Sequence, residues 1–167
     1  MKLDVSSLLD NETLDKDLDI TLEESSFYDG GEYIDILKPI RFSGTLKKVG
    51  DLFVLTGNVN TVLGLTCSRC LEKFSYPMKI EINENFTGRK TVDEGDDVIF
   101  IDNDYIDITE VIENNIILML PIKRLCKKDC RGLCPKCGTN LNYSTCDCSK
   151  DEIDPRWAKL KNMFSSN

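Results

Sequence analysis

The 167-residue chain contains no histidine, one tryptophan and five prolines. Without histidine it lacks both the commonest general base and the commonest neutral metal ligand. Any transition-metal site must therefore be rich in thiolate. Long apolar runs are absent too: the longest, Ile116 to Leu120, is five residues, against the roughly 18 a membrane span needs. The opening residues, MKLDVSSLLDNETLD, lack the basic segment and apolar stretch of a secretory signal. These absences predict a cytoplasmic protein with no membrane association. In a reducing compartment its eight cysteines are metal ligands rather than a disulfide framework.

What is present reads as globular, at 41% hydrophobic and 30% charged residues. Charge is unevenly spread. Residues 1–119 hold 11 Lys+Arg and 24 Asp+Glu, a balance of −13; residues 120–167 hold 10 and 5, a balance of +5, giving the net −8. An acidic body followed by a basic tail directs acidic partners such as RNA to the tail.

The reading predicts two parts, an antiparallel β body over 1–124 and a basic cysteine-rich tail over 125–167. Residues 1–35 are acidic and read as one or two edge strands with loops. From Pro39 the pattern strengthens: Ile40, Phe42 and Leu46 alternate with polar residues, and Val49-Gly50-Asp51 turns the chain. One phase then runs Phe53, Leu55, Gly57, Val59, Thr61, Leu63, Leu65, Cys67. After Cys67-Ser-Arg-Cys70 the other arm reads Phe74, Tyr76, Met78, Ile80, Ile82, with Glu84 interrupting before Phe86. Period two sustained this long predicts a long hairpin. Strands of this length twist strongly or curl toward a barrel. Residues 91–97 read as an acidic loop and Val98 to Ile101 as a short strand.

A helix is predicted over 107–120. Asp107 caps it, with Glu110 in capping-box spacing, Ile108, Val111, Ile112, Ile116, Met119 and Leu120 on one face, and Pro121 as the stop. The nearby acids Asp104, Asp107, Glu110 and Glu113 are explained by a capped helix start with a solvated face, not by catalysis. A short last helix follows Asp154 and Pro155, with Trp157, Leu160 and Phe164 on one side. The fold class is thus α+β: a mainly antiparallel, strongly twisted or barrel-like sheet with a packed helix, plus a small cysteine-rich zinc knuckle and a short terminal helix.

The cysteines fall as Cys67-x2-Cys70, Cys126-x3-Cys130-x3-Cys134-x2-Cys137 and Cys146-x-Cys148. Zinc takes four ligands in a tetrahedron, and a Cys-x2-Cys turn aims two sulfurs at one point with amides free to donate to them. The favoured division is two structural zinc ions per chain. Cys67, Cys70, Cys126 and Cys130 would form one site, and Cys134, Cys137, Cys146 and Cys148 a local second. A rival division puts Cys126, Cys130, Cys134 and Cys137 on one metal. Cys134-Pro-Lys-Cys137-Gly138 has the form of a zinc-ribbon turn, with Gly138 able to take positive φ. Cys130-x3-Cys134-x2-Cys137 also matches the spacing of radical iron–sulfur enzymes. That chemistry comes with a barrel on the order of 250 residues, and 30 residues follow Cys137 here. Nor does a Cys-x2-Cys between two strands suit a thiol-redox motif. The reading is of a protein that is not an enzyme and takes no small-molecule substrate. Ligand type alone leaves iron as an alternative to zinc.

Cys67-Ser-Arg-Cys70, Leu120-Pro121, Gly132-Leu-Cys134-Pro-Lys-Cys137-Gly138-Thr-Asn140-Leu-Asn142, Cys146-Asp-Cys148 and Asp154-Pro-Arg156 with Leu160 together resemble the YceD family, named for accumulation of large-subunit (23S) ribosomal RNA. The likeness spans about Pro39 to Leu160. It implies a non-enzymatic bacterial cytoplasmic factor supporting synthesis, processing or stability of 23S rRNA in large-subunit biogenesis. On that view Lys123, Arg124, Lys127, Lys128, Arg131 and Lys136 would face phosphate. The other reading is an adaptor or chaperone for a basic ribosomal protein, without RNA contact.

Overall fold

The computed structural model describes residues 1–5, 15–88, 98–101 and 105–148. The expected acidic loop at 91–97, Asp104 and the expected terminal helix after Asp154 lie outside the described residues. The chain divides into two units: Met1–Thr66 with Lys73–Arg124, and Cys67–Glu72 with Leu125–Asn167.

The first unit is built on two long neighbouring hairpins. Its strands are β1 (Lys2–Asp4), β2 (Asp15–Leu22), β3 (Ser26–Tyr28), β4 (Tyr33–Val49), β5 (Leu52–Thr66), β6 (Lys73–Thr87), β7 (Val98–Phe100) and β8 (Tyr105–Asp107). The main sheet runs β2-β4-β5-β6-β7, with β3 also on β4, and curls into a half-barrel. All its pairings are antiparallel except β6 with β7. A separate pair, β1 with β8, leads into the one described helix, α1 (Ile108–Leu118).

The period-two pattern sets which face is buried. On β5, Phe53, Leu55, Val59, Leu63 and Leu65 are all buried, and they meet Met78, Ile80, Ile82 and Phe86 of β6. Thr61 falls in the same phase and is also buried; its hydroxyl donates to the Lys38 carbonyl at 2.9 Å. That carbonyl lies where β4 is irregular around Pro39, which has no N–H for the ladder. Gly44 and Gly57 face each other across β4 and β5, with the Phe42 ring over both. A Cβ on Gly57 would come within 2.6 Å of that ring. Phe42 itself is completely buried.

Residues 1–35 hold more strand than expected: β1, β2, β3 and the start of β4. In β2, Leu18, Ile20 and Leu22 point inward while Asp15, Asp17 and Asp19 alternate with them. The acidic half of the alternation masks a regular strand.

Helix α1 starts as expected. The Asp107 carboxylate accepts from the Thr109 amide at 3.2 Å. Ile108, Val111, Ile112 and Ile116 are buried within the core cluster. The helix ends sooner than expected. Met119 is its C-cap, its amide turned back to the Asn115 and Ile116 carbonyls, and its side chain is exposed. Glu84, the interruption in β6, accepts from the Asn115 side-chain amide of α1 at 2.7 Å. No helix among the described residues is long and apolar enough to cross a membrane.

Candidate metal centres

The described residues of the second unit form little regular structure, so tight turns place its cysteines. Cys67-Ser-Arg-Cys70 forms the first. The Leu71 amide donates to the Cys67 carbonyl at 2.9 Å, and Leu71 takes a left-handed φ of 61°. Cys134-Pro-Lys-Cys137 repeats this, with the Gly138 amide on the Cys134 carbonyl at 2.9 Å and φ 72° at Gly138. The same turn thus carries glycine in one copy and leucine in the other. A short ribbon extends the second turn: Cys134 N donates to Thr139 O at 2.8 Å, Leu141 N to Gly132 O at 2.9 Å, and Leu133 bridges Asn140.

These turns gather the sulfurs into two groups of four, Cys67, Cys70, Cys126, Cys130 and Cys134, Cys137, Cys146, Cys148, with the ligand atoms of each group all within 4.8 Å of one another. Cys126, Cys130, Cys134 and Cys137 do not form a group of their own among the described residues. In the first group Cys67 Sγ and Cys130 Sγ lie 3.8 Å apart, and Cys70 Sγ and Cys126 Sγ 3.6 Å. Four sulfurs at about 2.3 Å from one tetrahedral ion stand about 3.8 Å from each other, so the cage has the size of a single ion. A disulfide would need about 2.05 Å, and all eight thiols are free. The first group is the more enclosed: Cys67, Cys70 and Cys130 are buried and Cys126 half-buried. In the second only Cys134 is buried, and Cys137 is exposed.

The electrostatics suit a cation. Burial disfavours a thiolate at Cys67, yet the amides of Cys126, Cys70 and Arg69 outweigh it and bring its pKa down to about 6. Cys130 is lowered against burial by the Asn142 amide and the Gly132 N–H. Cys126 is pushed up to about 12, first by burial and then by Cys70 and its other neighbours. In the second group Cys137 falls to about 6, chiefly through Thr139, and Cys134 is lowered by the amides of Cys137 and Lys136. Cys148 rises to about 12 through Cys137 and Cys134. Four thiolates so close together repel one another, and a bound divalent ion supplies the charge that lets all four ionise.

Three outer residues brace the first group. Arg69 Nη1 donates to the Cys130 carbonyl at 2.8 Å. Asn142 Nδ2 donates to Cys130 Sγ at 3.3 Å, while its Oδ1 accepts from Arg131 N at 2.9 Å. Tyr143 OH donates to Glu72 at 3.0 Å. The sequence reading gave Arg69 and Asn142 no role, although both stand in the strings that carry the resemblance. Hydrogen bonds from Arg69 and Asn142 to Cys130 fix the orientation of that ligand.

Of the basic residues singled out in the sequence, Lys123, Lys127, Lys128, Arg131 and Lys136 are exposed. Arg124 is not available in the same way. Its guanidinium is bound by Asp29 at 2.6 Å and by Glu32, and its side chain is only 18% exposed. The carboxylates of the β3–β4 turn have claimed it.

The chain is similar to known proteins over most of its length. The family model described as Large ribosomal RNA subunit accumulation protein YceD matches residues 55–164, which takes in all eight cysteines. The uncharacterized protein YlbN of Bacillus subtilis (strain 168) is 30% identical over 137 residues, 78% of this chain and 77% of that one. An uncharacterized protein of Mycobacterium tuberculosis (strain ATCC 25618 / H37Rv) is 32% identical over 123 residues, 71% of this chain and 59% of its own length. The chain therefore spans about three fifths of the mycobacterial relative. The chloroplastic Large ribosomal RNA subunit accumulation protein YCED homolog 1 of Arabidopsis thaliana is 30% identical over 139 residues, 65% of this chain and 43% of that one. No solved structure matches. With both cysteine turns and the ribbon between Gly132 and Asn142 inside the matched span, the chain belongs to the YceD family.

Proposed function

We propose that this protein is a non-enzymatic, cytoplasmic factor for biogenesis of the large ribosomal subunit, acting on 23S rRNA. In this reading each four-cysteine group holds one structural zinc ion. Family membership carries the proposal, since both the family model and the chloroplast relative are named for large ribosomal RNA subunit accumulation. The cysteine-rich unit supports it with exposed Lys127, Lys128, Arg131 and Lys136 around the two metal cages. Zinc would fix the short turns that hold these side chains at the surface, where they meet phosphate. Both cages supply four thiolates and no open position, the arrangement of structural rather than catalytic zinc.

The test is binding of the full-length protein to 23S rRNA fragments over a salt series. Lys127→Glu and Lys128→Glu should each weaken binding and flatten the salt dependence by about one unit of slope. Unchanged affinity and slope would overturn RNA contact through this surface. The acidic first unit favours the second reading, an adaptor for a basic ribosomal protein. Salt-sensitive capture of a purified large-subunit ribosomal protein in the absence of RNA would select it.

A further inference from the structure

The two cysteine turns share one hydrogen-bonded form but sit in different surroundings. In the first, both sulfur-bearing residues are buried, Cys70 at 3% exposure. In the second, Cys134 is buried at 6%, but Cys137 stands in solvent together with Pro135, Lys136 and Gly138. A Cβ built on Gly138 meets nothing within 4 Å, so the space beside Cys137 is open. A metal-bound sulfur is a thiolate, the nucleophilic form of cysteine. With that form common to both cages, access decides which one reacts.

Cys134 lies behind Cys137 as a second sulfur. The two Sγ atoms are within 4.8 Å of each other. The ends of a four-residue turn are less than about 7 Å apart at Cα, inside the range a disulfide spans. Cys146 and Cys148 are half-buried and have no such turn between them.

We propose that the Cys134–Cys137 turn is a site of oxidation by hydroperoxides, with Cys137 as the attacking sulfur and Cys134 as the one that closes the disulfide. Loss of metal on oxidation rests on the reading of each four-cysteine group as a zinc cage. The Cys137 thiolate attacks the peroxide: an S–O bond forms, the O–O bond breaks, and the departing oxygen takes a proton from water, leaving a sulfenic acid on Cys137. The Cys134 thiolate then attacks that sulfur; the S–S bond forms, the S–O bond breaks and hydroxide leaves. The sulfur pair loses two electrons and the peroxide gains them. Two of the four ligands are consumed, so the second cage loses its hold on the ion while the first stays reduced.

Hydrogen peroxide is the probe, added to full-length protein whose zinc content has been measured. A colorimetric indicator should register about one zinc ion per chain, released at least about tenfold faster than the other. Mass-spectrometric peptide mapping with fragmentation should place the first disulfide at Cys134–Cys137, with Cys67, Cys70, Cys126 and Cys130 still alkylated as thiols. Dimedone present during a brief exposure should label Cys137. Equal oxidation of the two cages, a first disulfide at any other pair, or dimedone on Cys134 ahead of Cys137 would overturn the proposal. So would intact thiols in peroxide that oxidises free glutathione. The zinc reading is judged separately: protein that holds no zinc defeats it, whereas the mapped disulfide still decides where the hydroperoxide acts.

Discussion

The Arg69 guanidinium donates to the Cys130 carbonyl at 2.8 Å, a side-chain to main-chain bond beside the sulfurs of the first cage. The Arg69 carbonyl in turn accepts from Leu133 N at 3.1 Å. Two segments 61 residues apart are thus joined beside the first cage without the metal. Arg69→Ala should lower the stability of the metal-loaded protein by about 1 kcal/mol, the usual net value of one hydrogen bond. It should also raise the rate at which a chelator removes the first ion. Arg69→Lys should restore little, because a lysine cannot copy the fork geometry. Denaturant titration and stopped-flow chelation read both effects.

The two cages differ in enclosure, so they should differ in metal lability. Cys137 is exposed in the second cage, whereas three of the four ligands of the first are buried. A chelator should strip the ions in two phases, the second cage first. Cys137→Ser should remove the fast phase and leave about one ion per chain with the fold of the first unit intact. Cys67→Ser should cost far more, because metal binding and folding share one free energy, on the order of 10 kcal/mol for structural zinc. A single chelation phase from the unaltered protein would contradict this.

The repeated turn offers an internal comparison. Gly138 has φ 72° and nothing within 4 Å of a Cβ built on it. Gly138→Ala should therefore cost about 1 kcal/mol from the backbone alone. Leu71 occupies the matching position at φ 61° with its side chain exposed. Leu71→Gly should relieve a comparable strain and raise stability by up to about 1 kcal/mol. A loss at Leu71→Gly would show that its side chain contributes a contact the backbone argument ignores.

Glu113 should contribute a pH dependence to the stability of the first unit. Burial, and then the neighbouring Glu24 carboxyl, push it up from 4.5 to about 7. The folded state therefore holds a proton that the unfolded chain releases near pH 4.5. The associated stability is fully present below that pH and is lost as pH rises through about 7. Melting temperature should fall between pH 5 and pH 8, roughly the window between the two pKa values. Glu113→Gln should flatten that interval and raise stability at pH 8. An unaltered profile in the variant would assign the titration to another group.

Much of this was legible in the sequence because period two is a direct consequence of strand geometry. The alternation from Phe53 to Cys67 and from Phe74 to Ile82 gave β5, β6 and the tip that carries Cys67 and Cys70. The cysteine spacing and the absence of histidine reduced the metal question to thiolates. Three things were not legible, each for a physical reason. Asp15, Asp17 and Asp19 hid the extent of strand near the start of the chain: residues 1–35 read as one or two edge strands with loops, whereas β1, β2, β3 and the start of β4 form there, β2 by pairing with β4. The end of α1 came before Met119, which is its C-cap with an exposed side chain, because the apolar spacing through Leu120 reads as one continuous face whether or not the last residues are helical. Arg124 looked like its basic neighbours, and only the folded β3–β4 turn shows that Asp29 and Glu32 bind it.

Metal content and ligand sphere test the central claim most directly. Protein purified without added metal, analysed by elemental mass spectrometry and zinc-edge X-ray absorption, should contain about two zinc ions per chain, each with four sulfur ligands at about 2.3 Å. Fewer than two ions, nitrogen or oxygen in the ligand sphere, or iron in place of zinc would contradict the account of two closed four-cysteine zinc cages.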